Sequence, residues 1–180
     1  MNNNLPVIKG IFVKSHVKAV ENALGQSGLH RLEAAYGSPL VFGNSEEVLV
    51  RDEVKLIECA LRLLKPDLNS EEIEYEAGRL HFHNFRTTPL GRLILPFFKT
   101  NFKQVMLQTK HLAGHIFRGV KFYSSEVAEK EIIIGMKNTD YPIDHFRGLF
   151  QAWMDYSGID GHVSQVDVGP NEFQYILKWK

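Results

Sequence analysis

Apolar residues follow two different periods in the last forty residues of the chain. Between 143 and 156 they recur every three or four positions, which predicts a helix with one apolar face. From 172 to 179 apolar and polar residues alternate, which predicts a strand with Phe173, Tyr175, Leu177 and Trp179 on one face. Because a loose terminus is normally polar, this aromatic one is expected to be tied into a core. The segment is therefore predicted to be the platform of the fold.

Helical spacing dominates the first two-thirds of the chain. The predicted helices cover 12–24, 29–36, 45–64, 70–85 and 98–117. Gly25 and Gly37 are placed to end the first two helices. Thr88 is a predicted N-cap with Pro89 at the first helical position, and Pro96 is expected to interrupt or kink the following apolar run.

Two further strands are predicted at 120–124 and 131–136, the second rich in isoleucine. With the terminal hairpin they give about four strands, and the helix of 143–156 lies between the two pairs. The predicted fold class is α+β, with a helical N-terminal two-thirds followed by a small antiparallel sheet and a helix packed on it. At 180 residues, the chain suits a single domain spanning 1–180.

The predicted helix of 45–64 carries two apolar stripes. One stripe contains Val50, Val54, Ile57, Leu61 and Leu64, and the second contains Leu56, Cys59 and Leu63. A helix with two apolar faces is either central to its domain or shared with another subunit. The second stripe is therefore a candidate interface of a homodimer or of a complex with a signalling partner.

Composition and charge exclude several classes of protein. The chain has 21 Lys and Arg against 21 Asp and Glu, a balance that argues against a nucleic-acid-binding protein. The single cysteine excludes an internal disulfide and fits a reducing compartment. The start has no secretory signal, and no run approaches the roughly 20 apolar residues of a membrane span. These features predict a cytoplasmic protein.

The sequence contains none of the common catalytic or cofactor motifs. Phosphate-binding glycine loops and the G-x-S-x-G elbow are both missing. His111 and His115 have zinc-ligand spacing, and His81 and His83 could join them if the chain folds back. However, the segment lacks the glutamate of H-E-x-x-H, and no third ligand is indicated. The sequence therefore predicts no catalytic residue, no metal site and no cofactor, and the protein is predicted not to be an enzyme.

Two candidate binding sites remain. Arg79, Arg86 and Arg92 lie near aromatic residues and a helix start, which favours an anion or nucleotide-like ligand. Phe98, Phe102 and Met106 could line a pocket for a small apolar ligand. Both sets also have a simpler interpretation, as solvated surface and as core packing.

The middle and the ends of the chain together resemble an uncharacterised bacterial family. The residues that match the family in the middle of the chain are Glu76-Ala77-Gly78-Arg79, Thr87 or Thr88 with Pro89-Leu90-Gly91-Arg92, and Leu93 to Phe102. The start Lys9-Gly10-Ile11-Phe12 and the terminal Phe173, Tyr175 and Trp179 extend the resemblance over nearly the full length. That family is paralogously expanded in myxobacteria and is known as a domain of unknown function.

The order of elements is also similar to a wider superfamily. It includes the haem nitric-oxide/oxygen-binding sensors, the 4-vinyl reductase-type domains and the TRAPP subunits, and it implies an apolar pocket between helices and sheet. The haem sensors need a proximal histidine and a Tyr-x-Ser-x-Arg strand. Aligning Leu95-Pro96 on their Leu-Pro start puts Met106 near the histidine, and the strand at 134–138 lacks the tyrosine, serine and arginine. The resemblance therefore does not favour haem here.

These features lead to two hypotheses of different classes. The first is a non-enzymatic ligand-binding or sensory domain of a bacterial cytoplasmic protein. The alternative is a homodimeric protein-interaction module without a small-molecule ligand.

Overall fold

The helical first part and the antiparallel sheet are both present in the computed structural model, which describes residues 5–180. The α+β prediction is confirmed. The helices are α1 (Gly10–Tyr36), α2 (Val50–Leu64), α3 (Ser70–Phe85), α4 (Pro89–Leu107), α5 (Thr109–Gly114) and α6 (Ile143–Ser157). The strands are β1 (Val7–Lys9), β2 (Glu47–Leu49), β3 (Phe117–Arg118), β4 (Lys121–Ala128), β5 (Glu131–Lys137), β6 (Gly161–Gly169) and β7 (Glu172–Trp179).

The two predicted N-terminal helices are the two arms of α1. Gly25 breaks the helix with φ 64° and ψ −160°, a conformation that residues with a Cβ rarely adopt. The second arm ends at Gly37, which has left-handed dihedrals and whose amide donates to the Glu33 carbonyl. Both helix ends therefore fall at the glycines that the sequence indicates.

Both apolar faces of α2 are covered from within the chain. Ile57 and Leu61 pack against Ile73 and Ala77 of α3. On the other side, Leu56 is fully buried in the main core. The prediction that Leu56 belongs to an exposed interface is therefore wrong, because α1 packs on that face; Cys59 and Leu63 are partly buried against the same core. Of the two interpretations of this helix, the central position in the domain is the correct one.

The C-terminal sheet has the strand order β4-β5-β7-β6 and is antiparallel throughout. Its central pair aligns Ile134 with Tyr175 and Ile132 with Leu177, and all four side chains are fully buried. Alternation places them on one face, where α6 packs. The predicted platform of a helix on a four-stranded sheet is confirmed.

A second, three-stranded sheet was not predicted. Its order is β2-β1-β3, and it joins three distant parts of the chain by pairing Val7 with Leu49 and Ile8 with Phe117. The segment expected to begin a helix at Ser45 is therefore partly strand, and α2 starts at Val50. Strands of two or three residues are too short to show a period of two, which is why the sequence pattern does not reveal them.

The predicted helix of 98–117 is interrupted. Thr88 caps α4 as expected, since its hydroxyl accepts from the Gly91 amide at 3.0 Å. However, the kink lies at Asn101 (φ −141°) and not at Pro96, and Gln108 separates α4 from α5. Within the described residues, none of the helices has the length and apolarity required to cross a membrane.

Candidate functional site

Two glycines set the distance between α3 and α6. A Cβ at Gly78 would overlap the carbonyl oxygen of His145, and a Cβ at Gly148 would overlap the carbonyl oxygen of Tyr75. The two helix backbones therefore lie in direct contact, as small residues permit. His81 follows Gly78 by one turn and His145 precedes Gly148 by one turn, so the close crossing brings these two histidines together.

The crossing forms one side of a buried polar cluster, to which four helices each contribute a residue. These residues are His16 of α1, Glu53 of α2, His81 of α3 and His145 of α6. The Nε2 atom of His16 lies 2.7 Å from Glu53 Oε1, and His81 Nδ1 lies 3.2 Å from His145 Nε2. His81 Nδ1 is also 3.8 Å from Glu53 Oε1. None of these four residues is more than 3% exposed, so water does not screen the interactions between their side chains.

Two further polar side chains border the cluster. The Asn84 amide lies 2.9 Å from His16 Nδ1, on the side of the imidazole away from Glu53. The aromatic ring of Tyr141 packs on His145 with ring centres 4.5 Å apart. Among the described residues, neither the Tyr141 hydroxyl nor Glu53 Oε2 makes a hydrogen bond of normal geometry, although the two groups interact with each other. A buried polar atom without a partner costs stability, so these two atoms mark the cluster as more than packing.

The protonation states follow from burial and from mutual interactions. Burial raises the pKa of Glu53, but the hydrogen bond from His16 and the electrostatic effect of the neighbouring histidines outweigh it, and the pKa falls to about 2. Burial lowers the pKa of His81 to about 4 and that of His145 to about 3. Burial, the charge of Glu53 and a hydrogen-bonding interaction with the Glu53 carboxylate hold the pKa of Tyr141 well above its usual value of 10. At neutral pH the cluster therefore contains one carboxylate and neutral imidazoles at His81 and His145.

This arrangement has the donor types of a cation site. His16, Glu53 and His81 present ligand atoms within 4.8 Å of one another. The sequence prediction of no metal site overlooked this set, because the histidines it considered are His81, His83, His111 and His115. Of those four, His81 belongs to the cluster and the other three are exposed. The sequence feature that could have revealed the cluster is a polar residue in the apolar stripe of each helix. His16, between the core residues Val13 and Val20, is an example.

An apolar cavity of about 70 Å³ adjoins the cluster. It lies among α3, α4, α5, α6 and the strands β3 and β4, and His81 forms part of its wall. The lining residues are His81, Phe82, Phe85, Ile94, Phe98, Met106, Thr109, Leu112, Ala113, Ile116, Phe117, Phe122, Phe146, Leu149, Phe150 and Trp153. Phe98 and Met106 are therefore at the cavity, where the sequence placed a pocket. Phe102 does not line it and instead packs edge-on against Trp179 with ring centres 5.7 Å apart.

The three arginines proposed as an anion site do not converge. Arg79 pairs with Asp155 at 2.9 Å, and Glu76 lies 3.7 Å away, so carboxylates already balance its charge. Arg86 lies over the ring of Tyr156 at 4.9 Å. Arg92 lines a separate groove beside α1. The structure thus divides the predicted patch among three different environments.

Replacing Tyr141 by phenylalanine is expected to leave the protein equally stable or more stable by up to about 1 kcal/mol. The change removes a buried hydroxyl that makes no hydrogen bond of normal geometry, and it keeps the ring packing on His145 and Phe146. The free energy of unfolding, measured by urea denaturation at neutral pH, checks this expectation.

Tyr175→Phe is the matched control, because the Tyr175 hydroxyl donates to the Ile143 carbonyl at 3.0 Å. That variant should lose about 0.5–1.5 kcal/mol, the usual contribution of a hydrogen bond. A Tyr141→Phe variant that loses as much as the control would show that the Tyr141 hydroxyl is satisfied in solution.

Solved structures with the same fold are H-NOX domains. An Fe(II) unliganded H-NOX mutant from K. algicida is 13% identical, with a TM-score of 0.69 over 96% of this chain and 97% of that one. An oxygen-binding H-NOX domain related to soluble guanylate cyclases, in its oxygen complex, is 20% identical, with a TM-score of 0.65 over 96% and 95%. An H-NOX mutant from T. tengcongensis is also 20% identical, with a TM-score of 0.61 over 96% and 98%. The distant similarity to the haem sensor superfamily is therefore confirmed at the level of the fold.

The residues around the cavity do not fit a haem. A cavity of about 70 Å³ would have to enlarge to hold a porphyrin macrocycle. Among the described residues that line the cavity there is no lysine or arginine to pair with propionates. Met106 and His81 could each offer an axial ligand, but His81 Nδ1 is engaged with His145. The sequence prediction against haem is untested by these findings and stays a prediction.

Family membership is established by sequence. No curated protein matches the chain. A family model, described as a protein of unknown function (DUF2378), matches residues 7–180 and so covers almost the whole chain, including the Gly78 and Gly148 crossing and the buried cluster. The chain belongs to the DUF2378 family.

Proposed function

We propose that this protein is a non-enzymatic, small-molecule-binding sensory domain, with the apolar cavity beside His81 as its binding site. The observation that carries the proposal is an aromatic-lined cavity at the junction of helices and sheet, in a chain with the fold of H-NOX domains. Natural cores are close-packed, so a cavity lined by large apolar side chains is a candidate binding site.

The size and lining of the cavity restrict the ligand. An engineered cavity of about 150 Å³ lined by apolar residues binds benzene or xenon. At about 70 Å³, this cavity suits a ligand of a few heavy atoms, such as a diatomic gas. Because His81 and Thr109 are the polar residues among the lining positions, affinity would come from dispersion and apolar burial.

A bound molecule would act on the packing between α4 and α6. Phe98 of α4 lies against Trp153 of α6 with ring centres 3.7 Å apart, and both rings line the cavity. Trp153 also contacts Phe82 and Phe85 of α3. A ligand that displaces one of these rings would shift α6 relative to α3. A sensor needs a structural difference of this kind between its ligand-bound and ligand-free states.

Xenon is the probe for this site, since it binds dry apolar cavities without polar contacts. We expect one saturable xenon site in the wild-type protein by 129Xe NMR. Ala113→Val should abolish it, because two added methyl groups, each comparable with the roughly 30 Å³ of a water molecule, occupy most of the cavity.

Ala128→Val is the matched control, since Ala128 is exposed on β4 and far from the cavity lining. It should bind xenon as the wild type does. Native mass spectrometry and absorbance of freshly purified protein form the second measurement. Absence of xenon binding in the wild type would overturn the proposal, and a Soret band with stoichiometric haem would replace the apolar ligand by haem.

A bacterial cytoplasmic location and a homodimeric or signalling assembly also remain proposals. The location rests on the single cysteine and the family resemblance, and the assembly rests on Cys59 and Leu63 of α2, which are only partly buried. The mass of the protein in solution tests the assembly directly, and a monomer at all concentrations would exclude the homodimer.

A further inference from the structure

We propose that His16, Glu53 and His81, with His145 beside them, bind one divalent first-row transition-metal ion. The proposal goes beyond small-molecule binding and does not depend on it, because it stands on the buried cluster and not on the cavity. Each of the three ligands comes from a different helix, so an ion there would join α1, α2 and α3 at a single point.

The distances are close to those of a coordination sphere. With bonds of about 2.0–2.1 Å, two ligand atoms on a tetrahedral ion lie roughly 3.3 Å apart. His81 Nδ1 and His145 Nε2 are already 3.2 Å apart. The distance between His81 Nδ1 and Glu53 Oε1, 3.8 Å, is slightly longer than this ligand separation. The distance between His16 Nε2 and Glu53 Oε1, 2.7 Å, is shorter than it, because a hydrogen bond joins these two atoms. The ligand atoms of His16, Glu53 and His81 lie within 4.8 Å of one another, so coordination would require pair separations to change by up to about 1.5 Å.

The carboxylate supplies the second, independent observation. Glu53 is fully buried, and among the described residues its Oε2 atom accepts no hydrogen bond of normal geometry. Burying a carboxylate is costly unless its charge is paired. The neighbouring imidazoles contact Oε1 and leave Oε2 without a hydrogen bond of normal geometry. A divalent cation would balance the carboxylate and use its unpaired coordination capacity.

Asn84 is placed to support the metal-bound form as a positioning residue. In the present hydrogen-bond arrangement its amide nitrogen donates to His16 Nδ1, which leaves a proton on Nε2 for the bond to Glu53. A half-turn of the amide presents its oxygen instead, which then accepts from Nδ1–H. The Nε2 lone pair of His16 becomes free for the metal, and the ring is held by an outer hydrogen bond, as is usual for ligating histidines.

The donor set selects the class of ion. Two histidines and one carboxylate, with a third histidine beside them, suit Zn²⁺, Fe²⁺ or Co²⁺. Ca²⁺ and Mg²⁺ prefer six or more oxygen ligands, and the cluster does not offer them. Because His81 also lines the cavity, an ion would fix one wall of the proposed ligand site.

Metal binding is tested on the full chain after chelator treatment and dialysis. Co²⁺ titration should give visible d–d bands that saturate at one equivalent per chain, and Zn²⁺ should displace the Co²⁺. Glu53→Gln keeps the shape of the side chain but removes its charge, and we expect it to weaken Co²⁺ binding at least about 100-fold, beyond the 10–100-fold typical of outer-shell changes.

The exposed histidine pair provides the control. The His111→Ala/His115→Ala double variant removes the surface pair with ligand spacing and should bind Co²⁺ as the wild type does. His81→Gln serves as a second ligand variant if Glu53→Gln does not fold. The proposal is overturned if the wild type shows no stoichiometric d–d bands, or if the surface variant loses them while a cluster variant keeps them. Xenon binding is measured on the same samples, so loss of one function is distinguishable from loss of the other.

Discussion

Gly78→Ala is expected to lower the free energy of unfolding by about 3 kcal/mol or more, the upper range for overpacking in a rigid core. The added methyl group would meet the backbone carbonyl of His145, and a backbone cannot move aside as the end of a flexible side chain can. Gly148→Ala should have a similar effect, since its methyl group would meet the Tyr75 carbonyl. Urea denaturation followed by circular dichroism measures both.

Gly114→Ala is the control for this pair. Gly114 also lies in a helix, α5, but a Cβ there meets nothing within 4 Å. Its replacement should be neutral or stabilise by up to about 1 kcal/mol, because alanine loses less backbone entropy than glycine. If Gly78→Ala were as stable as Gly114→Ala, the α3–α6 contact in solution would have to be looser than the structure shows.

The same substitution should separate His81 from His145. Each histidine lies one helical turn from a crossing glycine, so widening the crossing lengthens the 3.2 Å contact between them. This gives Gly78, one of the residues that carry the family resemblance, a physical role. The glycines let two helices approach closely enough for their imidazoles to touch.

Local patterns were sufficient to predict most of the helices and the larger sheet. The predicted helix ends at Gly25, Gly37 and Thr88 are each specified by one or two residues. The structure confirms all three ends. The strand β7 shows strict alternation over eight residues, which is long enough for the period to be unambiguous. Such features are encoded within a single stretch of the chain.

The site could not be predicted in the same way, because its members are far apart in sequence. His16 and Glu53 are separated by 37 positions, and His81 and His145 by 64. No spacing rule links residues on four different helices. The available signal is weaker, namely a polar residue in the apolar stripe of each helix, and it becomes specific only when the packing of those helices is known. His111 and His115 have the more recognisable spacing and are exposed.

In metal-free protein, stability is expected to fall steeply as the pH drops below about 6.5. His81 and His145 have folded-state pKa values of about 4 and 3, below the usual 6.5. Between those values and 6.5 the unfolded chain binds protons that the folded chain does not, so acid favours unfolding by about 1.4 kcal/mol per pH unit for each histidine. Glu53, with a pKa of about 2, adds a loss in the same direction below about pH 4.5. Urea denaturation in the presence of a chelator, repeated from pH 7.5 to pH 4.5, measures this slope.

Two variants identify the groups responsible for the slope. Glu53 and His16 both act on the pKa values of the two histidines, and Tyr141 packs on His145; the Glu53 carboxylate opposes the lowering of these pKa values. His145→Gln should roughly halve the slope above pH 4.5, because one of the two histidines with a depressed pKa is removed. The His111→Ala/His115→Ala double variant should keep the full slope, since histidines exposed in both states bind protons equally in each. A wild type whose stability is unchanged between pH 7 and pH 5 would contradict the neutral, buried state of His81 and His145.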